Sequence, residues 1–249
     1  MSPLIQHDTW EALRAFTPAR IALGRTGVAL PLKEVLDFRM AHAHARDAVY
    51  SILDTDGLQT ALAPLVHYRL HSKAADRHTY LQRPDLGRQL DAVSEALLEP
   101  GDADLAFIIA DGLSATAVNR HAAPLLHLLI PALREAGIQL APVCLLEQGR
   151  VAAGDPIGYH LRVRMTVLLI GERPGLSAAD SMGAYLTLGP RPGLTDESRN
   201  CISNIRPEGL GYAAAADRLL HLIGASMRLG LSGVGLKDQS QNEQNSIDS

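Results

Sequence analysis

Between Pro31 and Ile52 apolar residues recur at steps of three and four: Leu32, Val35, Leu36, Met40 and Ala43 form a stripe, and Lys33, Glu34 and Asp37 lie mostly off it. The spacing predicts an amphipathic helix whose stripe faces a core. Pro31 suits its first turn, where a missing N–H would have had no partner anyway. On the same helix Arg39, His42 and Arg46 stand three and four apart and can present one surface to solvent or to a partner. Further helices are expected at Gln59–His71 and Asp85–Leu98, the second stopped by Glu99-Pro100-Gly101-Asp102. Residues 1–100 thus read as a helical N-terminal region.

The pattern changes at Leu105–Ala110, a short apolar run without helical phasing. Asp111-Gly112-Leu113-Ser114 follows, then an amphipathic stretch to about Ala136: strand, loop, helix. Ile138–Leu146 and Val163–Ile170 are two more apolar runs. Apolar strands separated by helix-length segments indicate an α/β fold, and residues 101–238 are expected to form a Rossmann-like, largely parallel sheet with helices on both faces. Val151–Arg162 is short and rich in Gly and Pro, which suggests a hairpin or irregular excursion. Gly171–Gly209 reads as a long loop, of the kind that binds something. Tyr212–Leu229 is a final helix, and the polar stretch from Lys237, with 239–249 as a disordered tail, has little to pack. No internal repeat of fixed period occurs.

Composition narrows the function. The 249 residues carry 23 Lys+Arg against 27 Asp+Glu, a net charge of -4, so no positive field draws in nucleic acid or an anionic membrane. No apolar run approaches the ~18 residues of a membrane span, and the opening residues do not resemble a signal peptide; a cytosolic protein is expected. Two cysteines, Cys144 and Cys201, are expected as reduced thiols. Aromatic residues are 4% of the chain while alanine and leucine abound, a composition suited to close helix contact, including contact between subunits.

Four stretches carry a resemblance: FTPARIALGRTG (Phe16–Gly27), LDFRMAHAHARDAV (Leu36–Val49), GERPGLSAADSMGAYLT (Gly171–Thr187) and GLTDESRNCISNIRPEGLGY (Gly193–Tyr212). In sequence and order they resemble the small subunit of ethanolamine ammonia-lyase, and the similarity runs from about Thr9 to about Asp238. The resemblance implies a hetero-oligomer with a larger, barrel-type subunit that binds ethanolamine, the two together enclosing adenosylcobalamin. It further implies radical conversion of ethanolamine to acetaldehyde and ammonia, no activity of this chain alone, and a cytoplasmic location within a bacterial microcompartment. By matching position it places Val151, Glu172 and Cys201 at the cobalamin, with no catalytic residue and no metal ligand on this chain.

Read on the residues alone, the same three positions are ordinary. Glu172 beside Arg173 would be a solvated ion pair, Cys201 a buried thiol, and Val151 a core or strand-edge residue. The nearest approach to the Asp-x-His-x-x-Gly pattern of base-displacing cobalamin proteins is Asp76-Arg77-His78-Thr79-Tyr80-Leu81, which lacks the glycine. No histidine therefore stands out as a cobalt ligand. His42 and His44, or His121 and His127, lack the four-residue step of a helical zinc site. Asp111 is expected at a strand C-terminus near the site, and Ser114 as a helix N-cap. Gly-rich nucleotide loops and a Gly-x-Ser-x-Gly elbow are absent from the sequence. Two other readings remain: a free-standing α/β hydrolase using Ser114 with Asp111, and a non-catalytic scaffold that attaches the large subunit to a microcompartment.

Overall fold

A computed structural model describes residues 5–17, 19–65 and 67–236. Its centre is β2 (Leu105–Ala110), in which all six residues are buried. Leu105, Phe107 and Ile109 enter one apolar cluster, and Ala106, Ile108 and Ala110 enter the cluster on the opposite face. Covering on both faces is why this strand reads as a continuous apolar run. β3 (Val143–Glu147) and β4 (Met165–Gly171) flank it in parallel.

The sheet has six strands in the order β1-β3-β2-β4-β5-β6. β1 (His67–His71) pairs in parallel with β3, whereas β5 (Met182–Leu188) and β6 (Arg199–Ile205) continue antiparallel from β4. The sheet is mixed, so the expectation of a Rossmann-like, largely parallel sheet describes its first four strands and fails for the last two. Helices do cover both faces. α5 (Ala115–Glu135) and α7 (Tyr212–Leu229) pack on one, and α6 (Gly154–Leu161) on the other through Ile157 and Leu161.

Four sequence expectations are corrected. The helix expected at Gln59–His71 is a short α2 (Thr55–Ala61) followed by β1; Pro64 interrupts the helix, and Tyr68 and Leu70 alternate toward the core as a strand requires. The span Asp85–Leu98 holds a 3-10 turn at Leu86–Arg88 and α4 (Ala92–Leu97), started by the Asp91 carboxylate accepting the Ser94 N–H at 2.7 Å. Val151–Arg162 contains α6, with glycines set by packing: a Cβ on Gly158 would collide with Thr166 and Pro190. The supposed loop Gly171–Gly209 contains β5 and β6, and β6 hides its period because Asn200, Cys201, Ser203 and Asn204 leave only Arg199, Ile202 and Ile205 buried.

The first predicted helix forms as α1 (Leu32–Val49), yet its stripe does not face a core: Leu32, Leu36 and Met40 are exposed, and Glu34 and Ala48 are the buried residues. Its C-terminal exit is tied to α5. Asn119 donates to the Ile52 carbonyl at 2.9 Å and accepts the Asp54 N–H at 3.0 Å, and the Thr116 N–H donates to Ser51 at 2.9 Å. The final helix matches its expected bounds. The tail expected to be disordered lies outside the described residues.

Candidate functional site

The chain leaves β2 through α5 to reach β3 on one side, then returns through α6 on the opposite face to β4 on the other side. Neighbouring β2 and β4 are therefore strands whose connections diverge, and a crevice opens at their carboxyl ends, the usual ligand position in an open α/β sheet. It is a cleft of about 260 Å³ lined by residues that include Gly112, Leu113, Arg150, Val151, Glu172 and Tyr185. Its floor is backbone against backbone: the Leu113 N–H donates to the Gly171 carbonyl at 2.9 Å, and a Cβ on Gly112 or Gly171 would collide with the opposite chain.

One wall is the turn after β3. Both Asp111 carboxylate oxygens accept backbone N–H groups, from Gln148 and Gly149, each at 3.0 Å. Gln148 adopts a left-handed φ of 53°, which this pair of bonds helps to hold. Burial pushes the Asp111 carboxyl up to about 6, against the pull of those amides and of Arg77, whose Nη1 lies 3.6 Å away. Tyr80 supports the turn from below. Its hydroxyl donates to the Gly149 carbonyl at 3.1 Å, and the guanidinium groups of Arg77 and Arg150 lie over its ring at 4.8 and 4.3 Å. The turn thereby presents Arg150 and Val151 to the cleft.

The other wall rises from the end of β4. Glu172 is half-buried, and its Oε2 accepts the Ser181 hydroxyl and, at 3.2 Å, the Asn204 N–H. Asn204 itself has a φ of 61°, so this carboxylate braces a left-handed residue at the end of β6. Among the described residues Glu172 makes no ion pair with Arg173, so the solvated-pair reading fails. Cys201 is exposed, contrary to the buried-thiol reading; the buried cysteine is Cys144. It lies opposite Tyr185 in the β5–β6 register, with its sulfur 3.3 Å from the Ser203 hydroxyl. Burial, and then the neighbouring Cys201 thiol, push the Tyr185 hydroxyl upward.

Val151 and Glu172 thus line one cleft, and Cys201 sits beside its Tyr185 edge. Sequence reasoning missed Tyr80, Arg150 and Tyr185, which line the cleft from separated segments, and Arg77, which bonds the Gly112 carbonyl of its floor. Strand order brings them together, and no spacing along the chain signals it. Ser114 occupies the N-cap position of α5 without capping it; its fully buried hydroxyl donates to the Ala179 carbonyl at 2.9 Å. With Asp111 committed to backbone amides and no described histidine bonded to either residue, a hydrolase triad is not assembled.

Comparison with known proteins decides the family. Residues 7–237 match the family model described as ethanolamine ammonia-lyase light chain (EutC). The chain belongs to that family. A Ralstonia nicotianae protein named ethanolamine ammonia-lyase small subunit is 55% identical over 245 residues, covering 95% of this chain and 91% of the relative. Proteins of the same name from Pseudomonas fluorescens and Pseudomonas putida are each 54% identical over 242 residues, covering 94% of this chain and 87% and 89% of theirs. In light-chain family terms, the matched range includes the crevice, both its walls and α1.

Proposed function

We propose that the crevice between β2 and β4 is one wall of an adenosylcobalamin site in ethanolamine ammonia-lyase, of which this chain is the small subunit and a large subunit the other wall. The observation that carries the reading is the meeting of Val151 and Glu172 in one cleft at the switch point, with Cys201 at its edge. The side chains fit the group. Corrin edges bear amides and the nucleotide tail a ribose; these need acceptors such as Glu172 and donors such as Arg150, and offer apolar edges to Val151 and Cys201. A cleft of about 260 Å³ is too small to enclose a corrin, so it takes an edge of the ring and leaves the rest to another polypeptide.

When bound, adenosylcobalamin supplies the radical chemistry by which ethanolamine becomes acetaldehyde and ammonia. This chain orients and shields. Glu172, held by Ser181 and Asn204, presents a fixed acceptor, and the Gln148–Val151 turn, held by Asp111, presents a fixed donor and an apolar edge. Within residues 1–100 α1 meets the large subunit, and residues 101–238 form the cobalamin wall together with Tyr80. The exposed Leu32, Leu36, Phe38 and Met40 support a docking role for α1. No described helix is long and apolar enough to cross a membrane. The assembly works in the cytoplasm, within a bacterial microcompartment. An accessible, mainly apolar cleft with the polar groups of Arg150 and Glu172 at its walls favours a cofactor wall over a pure scaffold.

The test is co-expression with and without the large subunit, followed by an assay of ammonia release from ethanolamine with added adenosylcobalamin. Activity is expected only when both chains and the cofactor are present. Glu172→Gln is expected to raise the cofactor Kd about tenfold, the loss of roughly one charge-assisted hydrogen bond, and Cys201→Leu to weaken binding by crowding the corrin edge, both with assembly intact. Unchanged cofactor binding in both variants removes these residues from the site.

A further inference from the structure

The exposed helix and the cleft are joined by one side chain that the proposed function does not use. Arg77, the first residue of α3 (Arg77–Gln82), sends its Nε to the Val49 carbonyl at 2.6 Å, at the last residue of α1. A guanidinium there also complements the negative end of the helix. Its Nη1 turns the other way: to the Gly112 carbonyl on the cleft floor at 2.8 Å, to the Gln148 side chain at 3.3 Å, and toward the Asp111 carboxylate at 3.6 Å. The guanidinium is held over the ring of Tyr80, whose hydroxyl also donates to the Gly149 carbonyl. One rigid fork therefore spans the end of α1, the floor between β2 and β4, and the turn that carries Val151.

We infer that Arg77, with Asp111, is a positioning pair that couples partner docking on α1 to the shape of the cleft, so that the large subunit and the cofactor each tighten the other's binding. The inference rests on the cobalamin-wall reading and deepens it. A covering over Leu32, Leu36 and Met40 fixes α1 and, with it, the Val49 carbonyl; Arg77 then holds Gly112 and the Gln148–Gly149 turn in the arrangement described above. Linkage makes the effect reciprocal, and the cofactor must improve subunit association by the same factor. Lysine replaces this arginine only in part, because a single ammonium reaches one of the two carbonyls at a time.

The measurement is the subunit dissociation constant of the full-length pair, with and without saturating adenosylcobalamin. In the wild type the ratio of the two constants is expected to exceed about fivefold. Arg77→Met should bring it close to one, and Arg77→Lys should leave an intermediate value. Leu36→Ala on the outer face of α1 should weaken association and leave the ratio intact. Asp111→Asn should speed amide exchange at Gln148 and Gly149 in the isolated chain and lower the ratio as well. If Arg77→Met fails to fold, Arg77→Lys carries the test. An unaltered ratio in the folded Arg77 variants, or a wild-type ratio of one, overturns the coupling while leaving cofactor binding by the complex in place. A wild-type complex that binds no adenosylcobalamin fells the cobalamin-wall reading and the coupling together.

Discussion

Two helices of 18 residues stand near the two ends of the chain, and they use their apolar residues in opposite ways. α7 buries Ala215, Ala216, Leu219, Leu222, Ile223 and Ala225 against the sheet and α5. α1 leaves Leu32 72% and Met40 60% exposed and turns a narrow side, with Glu34 and Ala48, toward the protein. Both have a periodic stripe. The difference teaches that period locates a stripe without saying whose core it enters; the stripe of α1 enters none within this chain, and under the proposed function the large subunit covers it.

The contrast can be broken most directly at α7. Leu219→Ala removes a fully buried side chain and is expected to lower the unfolding free energy of the isolated chain by about 2–5 kcal/mol, read by urea denaturation. If the loss is below about 1 kcal/mol, α7 is not the internal helix described. A second test lies where the α1 exit meets the cleft, at Asp111. Its carboxyl ordinarily titrates at 3.8 and is pushed up to about 6 in the fold, mainly by burial. A raised acid favours the folded state fully below 3.8 and loses that contribution as pH rises through 6. Between about pH 4 and about pH 7 the wild type should therefore lose about 2 kcal/mol relative to Asp111→Asn. Other titrating groups cancel in that difference, and equal slopes for the two proteins would contradict the burial argument.

Smaller effects sharpen the α1 side. Met40→Ala and Phe38→Ala should each weaken association with the large subunit by about 1–2 kcal/mol in a binding titration. The same changes should alter the stability of the isolated chain by no more than about 0.5 kcal/mol, the value for surface positions. A stability loss comparable to that of Leu219→Ala would mean that α1 belongs to this chain's own core.

Legibility in the sequence followed burial. Runs covered on both faces (β2, β3 and β4) and helices with a wide internal stripe (α5 and α7) announced themselves, because most positions on those faces have to be apolar. β1 and β6 lie at sheet edges, where exposed Arg69 and Ser203 and half-buried Asn200 blur the alternation. α6 was obscured by Gly154 and Gly158, which read as breakers but serve close packing on β4. At the site, Glu172, Val151 and Cys201 were reached through family likeness. The bracing of Gln148 by Asp111 and of Asn204 by Glu172 depends on strand order, and spacing along the chain does not encode it.

The floor of the crevice, where Gly112 abuts Gly171, is built from two backbones too close together to admit a Cβ at either glycine. Substitutions elsewhere around the rim can retune which chemical groups are gripped, yet the depth at which a guest comes to rest stays constant. A change at Arg150 or Tyr185 should therefore alter grip, while an alanine at either glycine should jam the seat itself.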